Sequence, residues 1–227
     1  KTLLPETNIA FNRFNIDADI SKERRDYRLQ NLSLQLSDEQ GFSLGLTGNS
    51  DLVKDQQPLR SLAVQAEISS KDTASVNPYL GGILPEMGAV KGTADISTQG
   101  KDFILSHIKL TAGVEQQTQL SATGRVGPLS IDPQIDQCKF SLDLALQAAS
   151  SSELISLFGA QHPDIGPVAM TAHLKGLTSA LQLADINIEV GEADSLSIQA
   201  NGWMAWDKLD TDKPEQSADL TIRAHSP

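Results

Sequence analysis

Apolar and polar residues alternate along most of this chain, and a period of two is the pattern of half-buried β-strands. Four such stretches recur in a fixed order, and we name them strands a, b, c and d. Strand a covers residues 62–68, 142–148 and 220–224, strand b 14–20, 90–96 and 168–174, strand c 32–36, 108–112 and 186–190, and strand d 42–46, 120–122 and 196–200. About twelve strands joined mostly by short turns predict an all-β antiparallel meander.

The same pattern repeats about every 77 residues. Residues 29–48, 105–124 and 183–202 align without gaps, and each block ends in Thr-Gly or Asn-Gly. The units are approximately 1–60 (a partial copy), 61–140 and 141–217, and residues 218–227 begin a further one. A repeat of this size predicts one elongated domain over 1–227 in which each unit packs on its neighbours. Because the copies at both ends are incomplete, we interpret the chain as a segment of a longer protein.

Strand c changes the parity of its apolar positions in every unit. Leu29 is at an odd position and Leu32 at an even one, and the same switch occurs between Leu105 and Ile108. A strand of period two switches parity only where one residue is extra, which predicts a β-bulge. The predicted bulges lie at residues 30–31, 106–107 and 184–185. Bulges increase strand twist, so one per unit predicts a sheet that curls into a trough.

The connections from strand a to strand b are longer than the others. Residues 151–159 predict a short helix, with a serine cap, an acid in the first turn and a glycine stop. Residues 75–81 occupy the equivalent place and are interrupted by Pro78. The loops from strand d to strand a are polar and carry prolines, namely Pro58, Pro128, Pro133 and Pro214.

Each strand has one apolar face, and that face must be covered. Burial of one such side chain contributes about 1.5–3 kcal/mol, so a twelve-strand sheet with the whole face in water would be unstable. The residues alone leave three coverings open. Two halves of the sheet could pack as a dry β-sandwich, the sheet could curl around an apolar ligand, or a partner segment could cover the face.

Composition narrows the classes of partner. The net charge of −11 repels nucleic acid and anionic lipid headgroups. The single cysteine, Cys138, excludes an intramolecular disulfide and any cysteine metal cluster, and it fits a periplasmic or a cytoplasmic protein. The sequence has no apolar run near the ~20 residues of a membrane span, and its first residues lack the long apolar region of a signal peptide. We expect any targeting or anchoring element to lie outside this chain.

The sequence offers little catalytic chemistry. No two of its four histidines have metal-ligand spacing, and phosphate-binding glycine loops and nucleophile elbows are missing. We expect His107 at a bulge and His173 on the polar face of a strand, both as solvated side chains. A cation site at Asp210 and Asp212 is the remote alternative. The prediction is a protein that is not an enzyme and holds no metal and no cofactor.

One run of features resembles the repeat of the AsmA family, the AsmA- and TamB-like envelope proteins of Gram-negative bacteria. A strand reading SLDLALQA leads into a short helix that ends in LFG, followed by Pro163 and the Gly166-Pro167 step. Next come a V-x-x-x-A-x-L strand from Val168 and an L-x-D-I-x-I-x-x-G strand that ends at Gly191. Residues 61–127 show the same order. The first copy departs, with Asn and Ser at positions 12 and 37 where the other copies have glycine.

The resemblance implies a function. Members of this family are anchored in the inner membrane and extend a repeating apolar β-groove across the periplasm. The chain is then expected to be a periplasmic segment that binds phospholipid acyl chains, helps carry phospholipid between the two membranes and supports outer-membrane biogenesis. Membrane contact would come from segments absent from this chain, and an envelope protein partner is expected. The alternative is a non-catalytic scaffold for outer-membrane components with a dry sandwich core, which an open edge strand would favour.

The groove residues are those that share one phase of the repeat on strands c and d. The predicted lining of the groove is Leu32, Leu34, Leu44, Leu46, Ile108, Leu110, Leu120, Ile186, Ile188, Leu196 and Ile198.

Overall fold

The computed structural model describes residues 11–23, 26–53, 61–77, 85–99, 102–129, 138–192, 196–207 and 215–226. Pro58, Pro78, Pro133, Pro214, Asp210 and Asp212 lie outside these ranges, as does most of the predicted 75–81 helix. The described residues form twelve strands and one short helix. The strands are β1 (Arg13–Glu23), β2 (Asp26–Ser37), β3 (Ser43–Val53), β4 (Ser61–Ser70), β5 (Val90–Gln99), β6 (Asp102–Gly113), β7 (Thr118–Leu129), β8 (Lys139–Ala148), β9 (Val168–Leu177), β10 (Ala180–Gly191), β11 (Ser197–Asp207) and β12 (Glu215–His225).

All twelve strands belong to one sheet, and each pairs antiparallel with the next strand in the chain. The sheet runs from β1 to β12 without closing, so the predicted all-β antiparallel meander is confirmed as one open sheet. In the repeat, β1, β5 and β9 are strands b, the next strands in order are c and d, and β4, β8 and β12 are strands a. Local alternation of side chains therefore builds a sheet with a single apolar face.

The three predicted bulges are confirmed. The register of β2 against β3 passes from Leu29 directly to Leu32, and the equivalent steps occur in β6 and β10. At each step two residues oppose one, and the second of the two has a left-handed backbone, with φ near 50° at Asn31, His107 and Asp185. A non-glycine residue rarely adopts this conformation, so its recurrence at equivalent positions marks a feature of the repeat.

Polar side chains hold two of the bulges from the neighbouring strand b. Asn31 Nδ2 donates to Asp19 Oδ2 at 2.7 Å, and His107 Nδ1 lies 2.8 Å from Asp95 Oδ2. The third unit exchanges the residue types, since the place of Asp19 and Asp95 is taken by His173 and the bulge residue is an aspartate. His107 is 81% exposed, in agreement with its predicted solvated position.

Residues that are directly opposed across the sheet do not occupy equivalent positions in successive repeats. Leu36 shares a line of directly opposed residues with Leu110, although its repeat equivalent is Ala112. Each four-strand unit is thus displaced by two residues, or about 7 Å, while four strands occupy about 19 Å. The strands are therefore inclined by about 20° from the perpendicular to the axis along which the units repeat.

The predicted helix is present as α1 (Ser151–Ser156) and continues as turns to Gly159. Its cap is Ser150, whose Oγ accepts a hydrogen bond of 3.2 Å from the Glu153 amide. One loop residue was wrongly placed. Pro128 lies inside β7, because strand pairing continues to Leu129 opposite Phe103, beyond the point where apolar alternation ends.

The layer leaves much of its surface in water. The accessible surface of the chain is 15175 Å². A compact protein of 24.4 kDa exposes about 10,000 Å². A large surface agrees with the topology, in which all twelve strands form one open sheet. In a dry β-sandwich one half of the apolar face would bury the other, whereas most leucines of this face are half-buried.

Candidate functional site

The apolar face of the sheet is continuous from one edge to the other. Lines of directly opposed residues cross it without a charged side chain. One line crosses nine strands through Phe14, Leu36, Leu44, Ile68, Gly92, Leu110, Ala122, Leu144 and Ala172. Another crosses nine strands through Ser70, Val90, Ala112, Leu120, Leu146, Met170, Ile188, Ala200 and Ile222. The face therefore provides an uninterrupted apolar surface in the direction of the repeat.

The predicted groove residues lie on this face or continue its alternation. Ile186 is buried, with 4% of its surface exposed, whereas the other strand residues of the set are half-buried. Leu196 precedes β11 by one residue and is 45% exposed. Leucine and isoleucine side chains at intermediate burial still have apolar surface in contact with solvent. That remaining surface is available to a ligand.

The floor of the face is thin in each unit because small residues recur there. Gly48, Gly124 and Gly202 each lie opposite the apolar residue that follows the bulge of their unit. A Cβ on Gly124 would lie 2.1 Å from the Ser141 carbonyl oxygen, so the backbone of β8 approaches too closely for any side chain. The bulge and the glycine thus lie opposite each other at the equivalent position of all three units, and a bulge of this kind bends and twists its strand.

One rim of the face is closed by the connection between β4 and β5. Val76 in this connection packs with Phe42, Val90 and Ala112 into a cluster of buried apolar side chains. Thr73 is fully buried beside it. Its Oγ1 donates to the Pro85 carbonyl at 2.7 Å and accepts from the Met87 amide at 2.7 Å.

The connection between β8 and β9 is held at the same rim by a carboxylate. Asp164 Oδ1 accepts hydrogen bonds from the Gly166 amide at 3.1 Å and from the Ser151 Oγ at 3.0 Å. The Gly166 amide, with smaller contributions from the serines, lowers the pKa of the Asp164 carboxyl below its ordinary value of 3.8. Asp72 has the same arrangement in the preceding unit, where Ser75 lowers its pKa. Sequence analysis missed both of these carboxylate–serine contacts. The one signal for them in the sequence is that an Asp and a Ser recur in the two connections.

Asp164→Asn is expected to lower the urea midpoint of unfolding at neutral pH. The folded-state pKa of Asp164 lies below its unfolded value, so the contribution of the carboxylate is complete above the unfolded pKa. It is lost as pH falls through the folded pKa. The midpoints of the variant and the parent protein should therefore converge below pH 3.8. Asp219→Asn on β12 is the matched control, and a constant difference for Asp164→Asn at all pH values would contradict the assignment.

The polar face contains a serine, histidine and aspartate in one hydrogen-bonded chain. His173 Nδ1 lies 2.7 Å from Asp143 Oδ1, and His173 Nε2 lies 3.4 Å from Ser141 Oγ. Acyl transfer also requires donors placed for a developing oxyanion, and the strands around Ser141 already pair on both sides, with β7 and with β9. We interpret this series of hydrogen-bonded side chains as a cross-strand contact between adjacent strands.

A fluorophosphonate probe is therefore expected to leave Ser141 unlabelled. The nucleophile of a working triad reacts with such probes because its base and oxyanion hole are in place. Intact-mass measurement of the treated protein would report the result. A mass increment that disappears in Ser141→Ala but persists in Ser121→Ala, a serine of the same face on β7, would show that the chain is catalytic.

The rest of the polar face offers shallow, open depressions. One, of about 390 Å³, is lined by Gln116, Gln119, Gln147 and Glu189 among others. Within the described ranges, no three His, Cys, Asp or Glu side chains converge as a metal site. Among the described residues, no helix is long and apolar enough to cross a membrane.

Comparison of the chain with family models, curated proteins and solved structures found no match. The resemblance to the AsmA family therefore stays a prediction. What the geometry itself provides is an extended apolar face with one closed rim.

Proposed function

We propose that the apolar face binds the acyl chains of phospholipids, and that the protein is part of a route along which phospholipid passes between two membranes. The single observation that carries this proposal is the set of apolar lines that cross nine strands while most of their leucines stay half-buried. Contact with a hydrocarbon chain would remove this surface from water, which stabilises binding by about 25 cal/mol per Å² of buried apolar surface.

The arrangement suits passage better than tight capture. A pocket for one small ligand is concave and closed around it. Here the same apolar positions recur in every four-strand unit, about 19 Å further across the sheet and about 7 Å further along the strands. No unit therefore offers an acyl chain a site that differs greatly from the next. Acyl chains would lie on the apolar face while headgroups stay in water.

The setting belongs to the same proposal. We place the protein in the periplasm, as part of an inner-membrane-anchored protein that supports outer-membrane biogenesis and contacts an envelope partner. The net charge of −11 supports a soluble bridge that does not adhere to anionic membrane surfaces. The scaffold alternative requires a dry core, and the large accessible surface gives it less support.

Native mass spectrometry of the purified chain, with extraction of bound lipid, tests the proposal. We expect phospholipid at a reproducible ratio to protein. A lipid-free, monodisperse and cooperatively folding chain, which also takes up no lipid from phosphatidylethanolamine–phosphatidylglycerol vesicles, would reject acyl-chain binding and favour a scaffold.

A further inference from the structure

One region of the polar face is basic, in a chain whose net charge is −11. Each of four neighbouring strands, β6 to β9, contributes one exposed cation to it. We name these four residues the basic patch: Lys109, Arg125, Lys139 and Lys175. Among the described residues, none of the four takes part in an ion pair or a side-chain hydrogen bond. Their positive charge is therefore available to a ligand.

The other copies of the repeat lack the basic patch. The residues at the equivalent positions are all uncharged, namely Ser33 and Asn187 for Lys109, Asn49 and Trp203 for Arg125, Ser61 and Ser217 for Lys139, and Ser21 and Ser97 for Lys175. Strands d, a and b pair in the same register in the first copy as they do around the patch. The fold of the repeat therefore does not require the four cations.

Three of the four cations border one serine. Arg125 lies directly opposite Ser141 on one neighbouring strand, and Lys175 lies directly opposite it on the other. Directly opposed Cα atoms of antiparallel strands are about 4.5–5.5 Å apart. Lys139 precedes Ser141 by two residues on the same face, about 7 Å along β8. A short hydroxyl side chain is thus bordered on three sides by long cationic ones.

The one carboxylate of β8 is engaged by a histidine. Asp143 Oδ1 lies 2.7 Å from His173 Nδ1. The other ring nitrogen, His173 Nε2, lies 3.4 Å from Ser141 Oγ, which is longer than an ordinary hydrogen bond. The serine hydroxyl can therefore turn toward a ligand on the polar face.

We propose that the basic patch binds a phosphate group above Ser141. Arg125, Lys139 and Lys175 supply the positive charge, and the serine hydroxyl donates a hydrogen bond. Arginine pairs with phosphate through two parallel hydrogen bonds, and lysine adds a point charge on a flexible stem. Lys109, one strand beyond Arg125, adds to the positive potential. The acidic surface around the patch repels large anionic surfaces, so it favours a compact anion.

The phosphate site is separate from the proposed acyl-chain surface. It lies on the polar face of β7 to β9, whereas the acyl chains would lie on the apolar face of the same strands. One phospholipid molecule cannot occupy both faces. The phosphate group therefore belongs either to a soluble phosphate ester or to a headgroup displayed by a membrane.

Replacement of the three cations by residues from the other copies tests the site. The patch variant carries Arg125→Asn, Lys139→Ser and Lys175→Ser, all found at equivalent positions of the same fold. Inorganic phosphate and glycerol 3-phosphate are titrated at constant ionic strength, and backbone amide shifts in NMR spectra report binding. The parent protein should show saturable shifts centred on Ser141. The patch variant should bind at least about tenfold more weakly, since each charge-assisted hydrogen bond contributes about 1.5–3 kcal/mol.

A control variant loses the same number of positive charges at other places on the surface. It carries Lys71→Ala, Lys91→Asn and Arg223→Ala, which are also residues of equivalent positions. The control variant should bind phosphate like the parent protein. Equal weakening in both variants, or a parent protein without saturable shifts at Ser141, would overturn the proposal. Tighter binding of poly-glutamate than of either phosphate probe would replace it with an acidic protein partner.

Flotation with vesicles distinguishes the two sources of phosphate. The vesicles contain phosphatidic acid, which displays a phosphate group, in phosphatidylcholine. If the patch is needed for binding of glycerol 3-phosphate and the vesicles do not bind, the ligand is a soluble phosphate ester. If the patch is needed for both, the ligand is a headgroup, and binding of vesicles alone would overturn a site for a single phosphate. The patch variant should take up phospholipid on its apolar face like the parent protein, so failure here leaves the proposed acyl-chain binding intact.

Discussion

Ile188→Glu is expected to reduce phospholipid binding at least about tenfold while the protein stays folded. Ile188 lies between Met170 and Ala200 in one of the apolar lines and is half-buried. A carboxylate there would lose its hydration if an acyl chain covered it, or it would keep its hydration and prevent the acyl chain from making contact. An unpaired buried charge costs several kcal/mol, and each 1.4 kcal/mol is a factor of ten in affinity.

The control for this variant is on the other face of the same pair of strands. Asn201 opposes Asn187 and is exposed, so Asn201→Glu adds the same charge one residue from Ala200 but away from the apolar surface. A phospholipid with a pyrene-labelled acyl chain, quantified after gel filtration, would report binding. Ile188→Leu should bind like the parent protein, since it keeps the apolar volume.

The three variants distinguish binding of acyl chains by the apolar face from non-specific association of lipid with the protein. If Ile188→Glu and Asn201→Glu bind lipid equally well, the apolar face is not the binding surface. If both lose binding equally, net charge decides the interaction. Circular dichroism and urea midpoints of the three variants would confirm that each is folded.

The fold could be predicted because it follows from the local alternation of apolar and polar residues. Period two gives the strands, and the parity switch between Leu29 and Leu32 gives a bulge whose left-handed residue is Asn31. Short connections leave an antiparallel meander as the simplest topology. All of these signals lie within a few residues of one another, so one sequence is enough to detect them.

Contacts between distant residues were harder to predict. Nothing local pairs Asp164 with Ser151 across a loop, and nothing local makes Thr73 the fully buried side chain of its rim. The Ser141–His173–Asp143 chain arises only because β8 and β9 pair in one register. Trp203 falls on the polar face, since it lies opposite the bulge of β10, whereas Trp206 faces Leu181 on the apolar face.

The way in which the apolar face is covered could not be decided from the residues alone. A sandwich and an open trough use the same alternation, and they differ only in whether one half of the sheet meets the other. The half-burial of residues such as Leu34 and Leu120, together with the large accessible surface, distinguishes them. We expect the bulges and the glycines to curve the sheet, and this makes the glycines a direct test of the architecture.

Gly124→Ala is therefore expected to destabilise the protein by about 3 kcal/mol. Gly124 has φ 146°, a conformation that residues with a side chain rarely adopt, and its added Cβ would lie 2.1 Å from Ser141 O and 3.0 Å from Leu142 Cα. Both contacts are backbone atoms of the paired strand, so no side-chain rotation relieves them. The urea midpoint should fall by about 1 M or more for a chain of this size.

Gly45→Ala is the matched control within the same repeat. Gly45 is also a strand d glycine, but its added Cβ would meet only the Glu67 carbonyl oxygen, at 3.9 Å. Its urea midpoint should stay the same or rise slightly, because alanine restricts the unfolded chain more than glycine does. Gly48→Ala and Gly202→Ala should repeat the loss seen at Gly124, since their added Cβ atoms would lie 2.2 Å and 1.9 Å from opposing carbonyl oxygens. If Gly124→Ala were as stable as Gly45→Ala, the close approach of β7 and β8 could not be what bends the sheet, and the trough would need another cause.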